Sequence, residues 1–174
     1  GGLERIVNLA EEHNADVVKF KNRSVQDSSE LDKSSVSDTP MNIEITTGDG
    51  VLNRHDISDY IVWDGIYRRT VIIENNILFK TDLCLREDDT FMGMLYCHAN
   101  VVIATDLPLY RYVSASNYSS THNQSVEKQR RLIVSGLKAA QHRGHYVQEH
   151  KPEVMRLERL KYMRWVCTLR QAAN

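Results

Sequence analysis

Apolar residues return every three or four positions in some stretches of this chain and every second position in others, with polar runs between them. Leu3, Ile6, Val7 and Ala10 share one face of a helix predicted over Leu3 to His13, with Glu4, Glu11 and Glu12 outside. Asn14 reads as its stop, and Asp16 to Phe20, DVVKF, as a short strand. Residues 22–42 are rich in Ser and Asp with little to bury, and read as a loop or insertion. Asn42 to Thr47 alternates as a strand and ends on a turn at Gly48-Asp49-Gly50. Val51 to Ile61 is expected to be a short helix capped by Asp56 or Ser58, and Thr70 caps a further helix, TVIIENN.

From Phe91 the pattern is helical again. Phe91, Met92, Leu95, Tyr96 and Ala99 recur at three- and four-residue spacing, which predicts one face turned to a core. Asn100 to Thr105 reads as a buried strand and Pro108 to Val113 as a second. In the second, Leu109, Arg111 and Val113 face one side, Tyr110 and Tyr112 the other. A hydroxyl-rich loop, Ser114 to Asn123, leads to Ser125, expected to cap a helix with a stripe of Val126, Ile133, Leu137 and Ala140, ended near Arg143 by Gly144. Pro152 opens a last helix to about Gln171. Its apolar residues spread around the wheel, which favours packing on the body of the protein over lying on a membrane.

A helix followed at once by a Val-rich strand gives an α/β class. At 174 residues and 41% hydrophobic, the chain can bury one sizeable core. No run approaches the roughly 18 apolar residues of a membrane span, and no signal-peptide pattern opens it. Cys84, Cys97 and Cys167 form no C-x-x-C pair, and buried reduced thiols are expected. The net charge of −1 hides an asymmetry. Residues 125–174 hold eleven Lys/Arg against four Asp/Glu, leaving eleven against nineteen in residues 1–124. Internal neutralisation needs no partner and is the preferred reading, and the scarcity of interleaved aromatics argues against nucleic acid.

Two stretches carry candidate chemistry. Glu87, Asp88 and Asp89 fall on the first turn of the Phe91 helix, where free N–H groups and the macrodipole favour negative charge. Such acids either solvate a helix start or hold a carboxylate where it can act as a base. Trp63, Tyr67, Arg68 and Arg69 cluster rings with guanidinium groups, which suits a sugar ring or a phosphate, and equally a half-buried strand edge.

In order, residues 62–113 contain Trp63-Asp-Gly-Ile-Tyr-Arg-Arg69, Glu87-Asp-Asp-Thr-Phe91, the strand Val101 to Ala104 and Pro108-Leu-Tyr-Arg-Tyr112, followed by Ser119-Ser-Thr121. This series resembles the C-terminal, acceptor-side portion of family-2 glycosyltransferases, the inverting nucleotide-sugar enzymes of the GT-A fold. Leu3 to His13 and Ala15 to Val18 resemble the element after that family's metal-binding loop. The resemblance implies an incomplete GT-A-like mixed sheet with flanking helices over residues 1–124, then C-terminal helices over 125–174. It implies that Asp88, with Glu87 beside it, takes the proton of an acceptor hydroxyl attacking the anomeric carbon. By the same resemblance Trp63, Tyr67 and Arg68 line the acceptor site, and His122 approaches the metal or diphosphate. The implied partners are a nucleotide-sugar donor and a carbohydrate or lipid-linked acceptor in polysaccharide or glycoconjugate synthesis. The implied location is the cytoplasm or, peripherally, the inner membrane face.

One departure limits this reading. The family's donor half ends in an Asp-x-Asp that holds Mg2+ or Mn2+, and none precedes Leu3. The expectation is that this portion alone binds no metal tightly, transfers no sugar and self-associates through an uncovered apolar face. The rival from another class is a non-catalytic α/β interaction module with an acidic face. A metal-dependent phosphoryl or nuclease site on the acidic triplet lacks a second ligand cluster.

Overall fold

The computed structural model describes residues 1–25, 40–54, 60–113 and 125–154. These fall into two compact units. One is drawn from Gly1–Thr46, Trp63–Arg69 and Asn100–Asn123, the other from Thr47–Val62, Thr70–Ala99 and Gln124–Asn174. The chain is mixed α/β, an open four-stranded mixed sheet with flanking helices, consistent with the incomplete GT-A-like domain expected.

The first unit begins with helix α1, Gly2–Glu12. Ile6 and Leu9 are its buried residues, whereas Leu3 and Val7, expected on the inner face, are 58% and 39% exposed. The buried stripe is therefore narrower than the apolar pattern. Asn14 ends the helix at φ 49, with its N–H on Glu11 O (3.2 Å) and the Ala15 N–H on Ala10 O (2.8 Å), the two bonds that close a Schellman motif. Strand β1, Val17–Val25, runs further than Phe20, its last residues lying in what reads as the start of the polar loop. Strand β2 is Ile43–Thr46, β3 is Gly65–Tyr67 and β4 is Val102–Val113, and the sheet order is β2-β4-β1-β3. β1 and β4 are parallel, and β2 and β3 are antiparallel edges. Ile6, Leu9, Ala15, Val18, Phe20, Ile103 and Leu107 form the core between α1 and the sheet.

The two strands expected at 100–105 and 108–113 are one. Asp106 and Pro108 look like a break because Pro cannot donate to a ladder. β4 absorbs them as an irregularity: Lys19 pairs with Ala104, Lys21 with Pro108 and Asn22 with Tyr110. The surplus amides find other acceptors, Leu107 N on Thr105 Oγ1 (3.3 Å) and Asp106 N on Asn42 O (3.4 Å).

In the second unit, the expected turn at Gly48–Gly50 is the start of helix α2, Gly48–Leu52, capped by Thr47, whose Oγ1 accepts from Gly50 N at 3.1 Å. Of the helix expected over Val51–Ile61, Val51 and Leu52 are the end of α2 and Asn53 is its C-cap, while residues 55–59, with the expected caps Asp56 and Ser58, lie outside the described residues. Helix α3 is Arg69–Glu74, one residue from the expected start. Helix α4, Glu87–Tyr96, is buried on every residue from Thr90 to Tyr96 rather than on one face, because α5 and α2 both pack on it.

Helix α5, Val126–His150, does not stop at Gly144. A glycine inside a helix costs about 1 kcal/mol. Carrying the helix one turn further fully buries Val147, worth about 1.5–3 kcal/mol. The buried face is Ser135, Ala139, Arg143 and Val147 at four-residue spacing, while Ile133, Leu137 and Ala140 are only half-buried. Ser135 is buried because its Oγ is satisfied: it accepts from Cys84 N and Leu85 N (both 2.9 Å) and donates to Leu85 O (3.0 Å). Pro152–Val154 is a 3-10 turn, and the rest of the expected last helix, with Cys167, lies outside the described residues. Cys97 is buried as expected but Cys84 is exposed, lying on the surface of α5 with its N–H on Ser135 Oγ and its Sγ 4.0 Å from Arg131 O. No helix among the described residues is long and apolar enough to cross a membrane.

Candidate active site

The acidic triplet enters α4 through Arg86, which adopts the left-handed conformation (φ 65, ψ 22). A non-glycine residue there costs about 1–2 kcal/mol and persists only where its surroundings fix it. What fixes it is its own side chain: Arg86 Nη2 and Nε lie 2.7 and 2.8 Å from Asp89 Oδ2. Asp89 Oδ1 takes a second guanidinium, that of Arg143 on α5, in a close ion pair. The Arg143 stem runs beside Gly93, where a Cβ would come 2.4 Å from its Cδ, and its head lies 4.9 Å from the centre of the Tyr60 ring.

The three acids are thereby distinguished. Asp89 joins α4 to α5. Glu87 has one carboxylate oxygen, Oε2, out of solvent with no hydrogen-bond partner among the described residues. Asp88 is half-buried, and its Oδ2 accepts a long bond, 3.4 Å, from the amide of Val62. All three sit on the first turn, where the helix supplies N–H groups and a positive dipole end.

The aromatic–arginine segment belongs to the first unit. Trp63 is half-buried and meets two tyrosines of β4, stacking on Tyr112 (centroids 5.4 Å apart, planes 15° apart) and lying tilted over Tyr110 (4.5 Å, 35°). Its neighbour Asp64 is buried in an ion pair with Lys19, and Phe20 N donates to Asp64 O at 2.9 Å. The segment bearing the indole is thus fastened to β1. Tyr67 is half-buried in β3, paired with Val17. The Arg68 fork is taken up by structure. Nη2 and Nε donate to Ala15 O (2.9 and 3.2 Å), and Nε also lies 3.1 Å from Asp16 Oδ1. Asp16 in turn accepts from the amides of Asn100 (2.7 Å) and Val101 (3.3 Å).

Glu87 and Asp88 thus lie in one unit and Trp63, Tyr67 and Arg68 in the other. His122 and Ser119 to Thr121 lie outside the described residues. Among the described residues no three His, Cys, Asp or Glu side chains are grouped to hold a metal, so these residues do not fit a Mg2+ or Mn2+ site. Sequence reasoning missed two groups. Arg143 carries no local signal, since its partner is 54 positions away. Tyr110 and Tyr112 are placed on one side of their strand by period two, but nothing local says that Trp63 meets them.

No known family model matches the chain, and no curated protein matches it by sequence. Solved structures do. Against S. aureus TarS residues 1–349 in complex with UDP, the TM-score is 0.57 at 18% identity, over 86% of this chain and 37% of that one. Against the same protein in complex with UDP-GlcNAc, it is 0.47 at 15% identity, over 92% of this chain and 60% of that one. The chain therefore spans about a third to three-fifths of the chains it resembles. The first likeness is one of fold, and that fold is glycosyltransferase-like.

Proposed function

We propose that this chain is the acceptor-side part of an inverting glycosyltransferase, with Asp88 as the general base. The observation that carries the reading is the different treatment of three adjacent acids on a glycosyltransferase-like fold. Asp89 is fixed between Arg86 and Arg143, which sets the register of the first turn. Asp88, one residue earlier, accepts a long bond from Val62 N and stays half-exposed at the same helix mouth. A carboxylate in that position accepts a proton as an alcohol attacks. Trp63 and Tyr67, in the first unit, carry the ring faces that the resemblance assigns to an acceptor. The Arg68 guanidinium contributes by tying Tyr67's strand to the end of α1.

The donor in this reading is a nucleotide-sugar, and a uridine diphosphate sugar is the first to test, because UDP occupies the TarS structure of similar fold. No step is assigned to a metal, since the described residues do not form its site. The reading as an acidic docking face fits less well: Glu87, Asp88 and Asp89 are all half-buried, and Asp89 is neutralised within the molecule.

The test is Asp88→Asn in the full-length protein that carries this chain, assayed for sugar transfer and, separately, for binding of the nucleotide-sugar. Transfer is expected to fall by about 10²–10⁴-fold, with donor affinity within a factor of about two. Undiminished transfer removes Asp88 from the chemistry.

A further inference from the structure

We infer that Trp63, Tyr110 and Tyr112, with Asn22 and Ser24 beside them, form a shelf that binds a pyranose of an oligosaccharide. This rests on the transferase reading only in naming the shelf's ligand as part of the acceptor. Beyond its irregularity, β4 runs beside β1 with Asn22 paired to Tyr110 and Ser24 to Tyr112. Partners in a parallel ladder share a face, so two phenol rings and two short polar side chains point the same way. Trp63 joins that face by lying over both rings. Tyr110 and Tyr112 remain 38% and 40% exposed, and Asn22 and Ser24 are exposed. Two tyrosine rings more than a third exposed beside a half-buried indole form a continuous apolar surface that a ligand can cover.

The chemistry of the face selects what covers it. The ring faces are electron-rich and attract the weakly positive axial C–H groups of a pyranose, while Asn22 and Ser24 offer donors and acceptors for its hydroxyls. The arginines of this ribbon, Arg23 and Arg111, are paired with one another in the ladder one position along, which turns them to the opposite face. A phosphate or nucleotide would seek those guanidinium groups. Lys21, paired with Pro108, stands on the same face at the end of the shelf, where its ammonium can donate to a sugar hydroxyl. Two tyrosines one strand repeat apart span more than one ring, which points to an oligosaccharide over a monosaccharide.

The experiment uses the full chain carrying Trp165→Phe, so that Trp63 is the sole tryptophan reporter. Its fluorescence is titrated with maltohexaose, cellohexaose and chitotetraose in the absence of any donor. At least one is expected to give a saturable change with Kd near or below about 1 mM, and inorganic phosphate none. Tyr112→Ala and Tyr110→Ala are each expected to weaken binding about tenfold, or about 1.4 kcal/mol. Tyr112→Phe, which keeps the ring face, retains it, and thermal unfolding of the exposed-tyrosine variants stays as in the parent. No saturable change with any of the three sugars, or alanine variants that bind as well as the parent, overturns the shelf. Sugar binding by a full-length protein that transfers no sugar would instead sink the transferase reading and leave the shelf standing.

Discussion

Removing the Asp89 carboxylate while leaving Arg143 in place tests how the acidic helix start is built. The two side chains are 14% and 8% exposed, and the Arg143 stem is wedged beside Gly93, so the cation has no easy route to water. Truncating one partner of a buried pair costs about 3–5 kcal/mol, mostly the penalty of stranding the other charge. The Arg86 contact, 25% exposed on its side, adds at most about 1 kcal/mol. Against a typical total of about 5–15 kcal/mol, Asp89→Ala is close to unfolding the chain. The double variant Asp89→Ala/Arg143→Met removes both charges and keeps an unbranched stem over Gly93, so about 2 kcal/mol should return. Asp88→Ala loses one acceptor at 3.4 Å and should cost about 1 kcal/mol or less. Urea unfolding followed by circular dichroism reads all three. With a slope of roughly 2 kcal/mol per molar, Asp89→Ala should lower the midpoint by about 2 M and Asp88→Ala by about 0.5 M. Equal midpoints for the two single variants, or a double variant no better than Asp89→Ala, would refute the assignment of Asp89 as the structural acid.

The glycine positions give a second check by the same method. Gly93→Ala drives a Cβ to 2.4 Å from the Arg143 Cδ and should cost about 1–3 kcal/mol, and Gly48→Ala, 1.9 Å from the Tyr96 carbonyl oxygen, should cost at least as much because backbone must move. A third concerns pH. Burial, with His150 and Lys151 nearby, holds His98 below its ordinary value, and its Nε2 lies 2.8 Å from the Tyr146 hydroxyl. A folded value below the unfolded one means the unfolded chain takes up the proton first. The His98 contribution is therefore complete above about pH 6.5 and is lost as pH falls towards the lowered value. His98→Gln should flatten the fall in melting temperature below pH 6.5, and an unchanged slope would assign that fall to other groups.

Much of this molecule is written in local pattern. The period of 3.6 in Ile6 and Leu9 places α1, Asn14 stops it by tolerating positive φ, and alternation marks β2 and the tyrosine-bearing part of β4. The first turn of α4 is legible from Glu87, Asp88 and Asp89, because the preference of acids for a helix start needs no tertiary contact. Where the local signal misleads, a distant group outweighs it. Gly144 does not end α5 because Val147 has a buried site one turn on, and Pro108 does not end β4 because Asn42 and Thr105 satisfy the disturbed amides.

What the sequence determined by itself is which residue types stand at the candidate site and on which elements. It could not rank three neighbouring carboxylates, since all three share a charge and a helix turn. Tertiary structure distinguished them, by bringing Arg143 from 54 positions away to Asp89 and the Val62 amide to Asp88. Likewise it turned two alternating tyrosines and a remote tryptophan into one surface. The physical reason is the same in both cases: ion pairing and ring stacking act over a few ångströms of space, and separation along the chain does not enter them.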